Sequence, residues 1–220
     1  MSTKDKIIQT SIALFNQHGE RAITTNHIAQ EMGISPGNLY YHFKNKEHII
    51  REIFYLYRSH LEQHFVPLSA EEPILEQLTH YLDSLFELMW RFNFFYDNLA
   101  DILSRDAKLK EDYMAQQKNL LVQVSGVIKG LKAGKVITID DADIEDLAHT
   151  VKLVVSAWTS YVKTHSAAGK LQQQDIYQGI GKVILLFKPY AVESGYQQLT
   201  QLQAAYQQKQ QTKSVEALTA

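Results

Sequence analysis

Cysteine is absent from this 220-residue chain, which excludes a disulfide framework, a thiolate metal site and a cysteine nucleophile. No run approaches the roughly 18 uninterrupted apolar residues that a membrane span needs. The opening stretch, MSTKDKIIQTSIALF, carries charges where a signal peptide would place an apolar segment. A cytoplasmic protein with no membrane partner is the expectation. Charge of one sign is also lacking: the formal net charge is −2, so bulk electrostatics do not advertise a nucleic-acid binder. Residues 1–64 hold seven Lys+Arg against six Asp+Glu, and six of the nine histidines. Any DNA-binding reading must therefore rest on geometry. Hydrophobic residues at 45% and charged residues at 21% suit a soluble chain that buries a proper core.

Sustained period-two alternation is missing too. Apolar residues recur near every 3.6 positions, and glycine and proline fall between the periodic stretches, so the fold class is all-α. The spacing predicts helices over about 4–18, 26–32, 36–43, 46–64, 74–95, 97–104, 106–132, 142–166 and 174–188. Thr25 is expected to cap the second, Ser35-Pro36 to start the third and Asn45 to start the fourth. Pro67 and SAEEP (69–73) read as a joint between two parts, Pro189 as a helix stop, glutamine-rich 197–211 as an exposed helix or frayed tail, and 212–220 as disordered.

The stretch IAQEMGISPGNLYYHFKNKEHI (28–49) stops one helix and restarts another within a few residues. Ala29 is small enough for close helix approach, Gly33 permits the positive φ of a sharp turn, and Ile34 and Leu39 lock the two helices together. On the restarted helix Leu39 and Phe43 share the inward face. Gly37 and Tyr41 lie opposite, flanked by Asn38 and Tyr40. This is a helix-turn-helix, whose second helix enters the major groove. Amides read base edges, and tyrosine bonds a phosphate or packs on a thymine methyl. A tyrosine pair beside a histidine is by itself ordinary surface packing; the surrounding turn grammar is what favours groove contact.

The segment from about 4 to 64, above all TTNHIAQEMGISPGNLYYHFKNKEHII with LYYHFKNKE at 39–47, resembles the N-terminal domain of TetR-family transcriptional regulators. WRFNFFYDNLADILSRDAKLKEDY (90–113) is similar to a pattern in one group of them. The resemblance implies a three-helix DNA-binding domain (1–46), a connecting helix (47–66) and a larger helical ligand-binding and dimerisation domain (67–211). It implies ligand-controlled release from an operator, so a homodimeric repressor of a palindromic site is the expectation, and the aromatic residues of the second domain favour a small apolar or aromatic effector. By position, Thr24 and Thr25 would meet phosphates. Asn26, where the family often has arginine, would contact a base. Pro36, Gly37, Asn38, Tyr41 and His42 would face the groove, and Tyr40 and Lys46 would bind the backbone.

A two-fold DNA reader needs a dimer that sets its reading helices about 34–36 Å apart. Val151, Val155 and Trp158, with Ile176, Ile180, Val183, Ile184 and Phe187 of the following helix, make apolar stripes suited to an isologous four-helix interface. Internal core is the alternative reading of the same stripes. Met89, Trp90, Phe94, Phe95, Leu99, Leu103 and Tyr113, faced by Trp158 and Tyr161, are the expected lining of an effector pocket, although aromatic stripes more often form solid core.

Enzyme and metal readings find little support. His60 and His64 have metal-ligand spacing, but HLEQH supplies no third ligand. DDADIED (140–146) places Asp146 where a calcium loop needs glycine, and GIGK (179–182) lacks the phosphate-loop spacing. Neither cofactor nor reaction is expected. A DNA-binding protein that answers to a protein partner, and a helical enzyme with a relic head, remain as alternatives; a filled second domain would favour the first.

Overall fold

The computed structural model describes residues 1–65, 69, 72–166 and 169–219; the expected joint at Pro67 lies outside them. The order is α1 (Thr3–His18), α2 (Thr25–Glu31), α3 (Pro36–His42), α4 (Lys46–His64), α5 (Ile74–Arg91), α6 (Asn93–Arg105), α7 (Ala107–Ala133), α8 (Ile144–His165), α9 (Gln173–Phe187) and α10 (Glu193–Thr219). Among the described residues the only strand-like pairing is an isolated bridge between Ile137 and Ala191.

Two compact units form. One joins Met1–Gln63 to Arg91–Gln116, the other His64–Trp90 to Gln117–Ala220. In the first, Ser2 and Asp5 close a capping box at the start of α1. Ile7, Ile12, Phe15, Ile28, Leu39, Phe43, Ile49 and Ile53 form its buried core. Four-residue and three-residue steps along α4 bring Ile49, Ile50, Ile53, Phe54, Tyr57 and Leu61 onto one buried stripe. The cap of α2 is Thr24 rather than Thr25: its hydroxyl accepts from the His27 amide at 3.3 Å. Ser35 caps α3 with Pro36 in its first turn, and Asn45 accepts from the His48 amide at 2.8 Å, both as expected.

The long helix expected over 74–95 ends earlier. Phe92 leaves helical geometry and α6 restarts at once. The Asn16 side chain stabilises this break from both sides, donating to the Arg91 carbonyl at 2.8 Å and accepting from the Phe94 amide at 3.1 Å. Phe94 then packs on Phe15, ring centroids 5.1 Å apart. These contacts place α6 in the same unit as the helix-turn-helix.

The second unit is built on a core that includes Leu78, Leu82, Ile128, Leu131, Leu147, Val151, Ile180, Val183, Ile184, Phe187 and Leu199. Five residues expected at a dimer interface, Ile176, Ile180, Val183, Ile184 and Phe187, are buried within the single chain, as is Val151. A side chain already enclosed by its own subunit has no surface to offer another copy, so these residues belong to the internal core. Their stripe is wide because α9 packs against α8 on one side and α10 on the other. The α9 helix ends at Phe187, and Pro189 sits in the 3-10 turn that follows. Helix α10 starts earlier than expected and runs to Thr219, so 212–219 are helical rather than disordered. Tyr206 anchors it, buried and donating to Asp83 at 2.8 Å.

Candidate nucleic-acid interface

The turn between α2 and α3 is closed by backbone bonds from the Gly33 amide to the Gln30 carbonyl and from the Ile34 amide to the Ala29 carbonyl, each 3.0 Å. Gly33 has φ +64°, a left-handed conformation that a side chain would strain. Leu39 is wholly buried whereas Tyr41 is 86% exposed, so one helix of seven residues separates a docking face from a reading face. Pro36, Gly37, Asn38, Tyr40 and Tyr41 are all exposed, and His42 is half-buried with its ring edge-on to Tyr41. Thr24 and Asn26 are exposed at the N-terminus of α2. The Thr25 and Tyr40 hydroxyls lie 3.0 Å apart. Two hydroxyls held together beside a helix N-terminus can both turn toward a phosphate oxygen. Exposed Lys44, just beyond α3, is a cation that the sequence reading passed over.

Lys46 departs from its expected geometry. Its ammonium lies 2.9 Å from the Glu20 carboxylate and donates to the carbonyls of Glu20 and Ile23 at 3.0 and 3.1 Å. Two hydrogen bonds to backbone carbonyls and one ion-pair contact hold the ammonium, so in this structure Lys46 is turned inward. It caps the C-terminal end of the short 3-10 turn Glu20–Ala22, where a cation is favoured by the backbone dipoles. Glu20 is wholly buried and holds a second cation, Arg105 of α6, at 2.8 Å. Arg105 also lies 3.2 Å from Asp101, which pairs with Arg21 at 2.6 Å. Further along, Arg51 binds Asp106 at 2.7 Å. The Arg21 guanidinium, which donates to Asp101, holds that carboxyl below the usual range. Burial pushes Asp106 upward, but its hydrogen bonds from the Leu109 amide and Arg51 leave it lowered on balance.

Beside α4, a cavity of about 20 Å³ is lined by Phe54, Tyr57, Phe95, Tyr96, Leu99 and Tyr113. That is room for roughly one water. The Tyr57 and Tyr96 hydroxyls are 3.5 Å apart, and burial raises the pKa of both and of Tyr113. The lining is thus neutral, aromatic and able to hydrogen-bond.

Residues 56–199 match the family model described as "Bacterial transcriptional repressor", and residues 7–53 match "Bacterial regulatory proteins, tetR family". The chain belongs to the TetR family of transcriptional regulators. A crystal structure of a TetR-family regulator from Marinobacter aquaeolei is 34% identical, with TM-score 0.83, covering 94% of this chain and 99% of that one. The Staphylococcus aureus regulator QacR is 47% identical over 53 residues, 24% of this chain and 28% of that protein. The probable acrEF/envCD operon repressor of Escherichia coli K12 is 29% identical over 129 residues, 59% and 55% of the two chains. The matches thus span about half or less of these curated relatives.

Within this TetR-family chain, the expected effector residues divide. Phe95, Leu99 and Tyr113 line the cavity; Met89, Trp90, Phe94, Leu103, Trp158 and Tyr161 are not among its lining. Phe94 is wholly engaged with Phe15 and Phe95. Trp158 donates its indole N–H to the Asp175 carbonyl at 2.7 Å and lies flat against Gly179, where a Cβ would collide with the ring. It is an α8–α9 packing residue, which removes it from both the effector and the dimer assignments. Tyr161 stacks on Trp158 and is 53% exposed, unlike a cavity wall. Tyr57 escapes the sequence pattern because its hydroxyl meets that of Tyr96 only through the docking of α6 on α4.

Proposed function

We propose that this protein is a cytoplasmic, homodimeric repressor that binds an operator through α3 and is released by a small molecule. The observation that carries the reading is the exposed strip Pro36–Tyr41 on a helix anchored by buried Leu39. Asn38 and Tyr41 read bases, Thr24, Thr25, Tyr40 and Lys44 meet the backbone, and Asn26 lies at the groove's edge. Selection of bound duplexes from random DNA tests it. A near-palindromic consensus is expected, and Tyr41→Ala and Asn38→Ala should alter it. An unchanged consensus in both variants removes these residues from base reading.

The dimer surface is reassigned to the outward faces of α8 and α9. Leu153 and Tyr161 are exposed, as is Leu185, and small Ser156 and Ala157 lie between them, a composition suited to close helix packing. The effector is assigned to the cavity beside α4. Its neutral lining favours an uncharged aromatic molecule with a hydrogen-bonding group, and a cavity of about 20 Å³ must expand to admit one. A TetR-fold neighbour, SmeT, is known as a complex with triclosan, which shows the fold accommodating an aromatic molecule in that protein. The small volume equally suits a regulator that answers to a protein partner. Thermal stabilisation by a panel of neutral aromatics favours the effector reading, and none across the panel favours the partner.

A further inference from the structure

We infer that Arg105 is a positioning residue for DNA binding: by balancing the buried charge of Glu20, it leaves Lys46 free to swing out to a phosphate. The inference rests on the DNA-binding reading above. Glu20 is wholly buried, and two cations converge on it, Lys46 at 2.9 Å and Arg105 at 2.8 Å. The other acids near Arg105, Glu47 and Asp101, are about a third exposed, and Asp101 has Arg21 as a second partner at 2.6 Å. Only Glu20 demands a protein counter-charge, and one cation satisfies that demand. With Arg105 seated, Lys46 is the surplus cation. It sits at the N-terminus of α4, close in sequence to α3, and its side chain is 18% exposed, so a path to solvent exists.

Without Arg105, Lys46 becomes the sole partner of a buried carboxylate. Moving it to a DNA phosphate would then strand that charge, which is strongly unfavourable. Arg105 lies on α6, whose Phe95, Tyr96 and Leu99 line the cavity. An occupant too large for that cavity displaces the same helix that carries Arg105. The position of α6 is thereby converted into the availability of one charge on the DNA-facing side.

The test is the salt dependence of binding to a duplex of arbitrary sequence by the full-length protein, since phosphate contacts are independent of sequence. Each phosphate contact contributes about 0.9 to the slope of log affinity against log salt. Two subunits using Lys46 therefore account for about a 12-fold change in affinity between roughly 50 and 200 mM salt. Lys46→Met should remove that component. Arg105→Met should remove most of it while retaining helical content, and the double variant should lose no more than either alone. Arg105→Lys should rescue, and Glu20→Gln in the Arg105→Met background should restore the slope by removing the demand for a counter-charge. The inference is overturned if Arg105→Met keeps the wild-type slope, if the losses of the two single variants simply add, or if Glu20→Gln fails to restore it. Absence of salt-dependent binding by the wild type overturns the DNA-binding reading itself.

Discussion

At the scale of single residues, neighbours on α3 have opposite duties. Leu39 is wholly buried and Tyr41 is 86% exposed. Leu39→Ala should cost about 2–5 kcal/mol of stability through the cavity it leaves, measured by denaturant unfolding. Tyr41→Ala should leave unfolding within about 0.5 kcal/mol of wild type while changing sequence selectivity. A large loss of stability on removing Tyr41 would place it in the core and end its role as a reader. Ser35→Ala should cost about 1 kcal/mol by leaving the Asn38 amide without its cap. These positions were legible in the sequence because their signals are local: a serine before a proline, a glycine at a turn, an apolar residue three places on. Lys46 was not. Its partners Glu20 and Ile23 lie 26 and 23 positions away, and no spacing rule couples them.

At the scale of the element, α6 is joined to the head by carboxylates whose pKa values are depressed, Asp101 and Asp106. A group with a lowered folded-state pKa stabilises above its unfolded value and loses that contribution as pH falls through the folded one. The docking of α6 should therefore be intact above about pH 4 and weaken progressively below it. Tyrosine fluorescence of the aromatic cluster against pH, compared with global unfolding, measures this. Asp106→Asn should flatten part of the acid transition, because it removes the titrating group while leaving Arg51 with a weaker partner. The break before α6 was read a few residues late, since Phe92 to Phe95 keep helical apolar periodicity across it. What ends α5 is the Asn16 side chain, a partner 75 residues away from Arg91.

At the scale of the whole molecule, the misread dimer stripe has a physical origin. Hydrophobic breadth on α8 and α9 shows how many sides are covered, but not by which chain. Here α10 covers much of α9, and the glutamine-rich sequence, which reads as an exposed helix or frayed tail, concealed the burial of Leu199 and Tyr206. Ile180→Ala should accordingly lower the stability of the subunit by about 2–5 kcal/mol. Leu153→Glu with Leu185→Glu should instead convert dimer to monomer in sedimentation without unfolding it. Dissociation by the first substitution alone, with stability unchanged, would return the interface to the original stripe.

The run Pro36–His42 contains no lysine, arginine or acid, and this has a bearing on search. Regulators that grip the phosphate backbone with many cations are sequestered by the vast excess of unrelated genomic sequence. A reader that relies on hydroxyls, an amide, Lys44 and one conditional charge dwells only briefly on such decoys. Few copies per cell would then suffice to keep the intended site occupied.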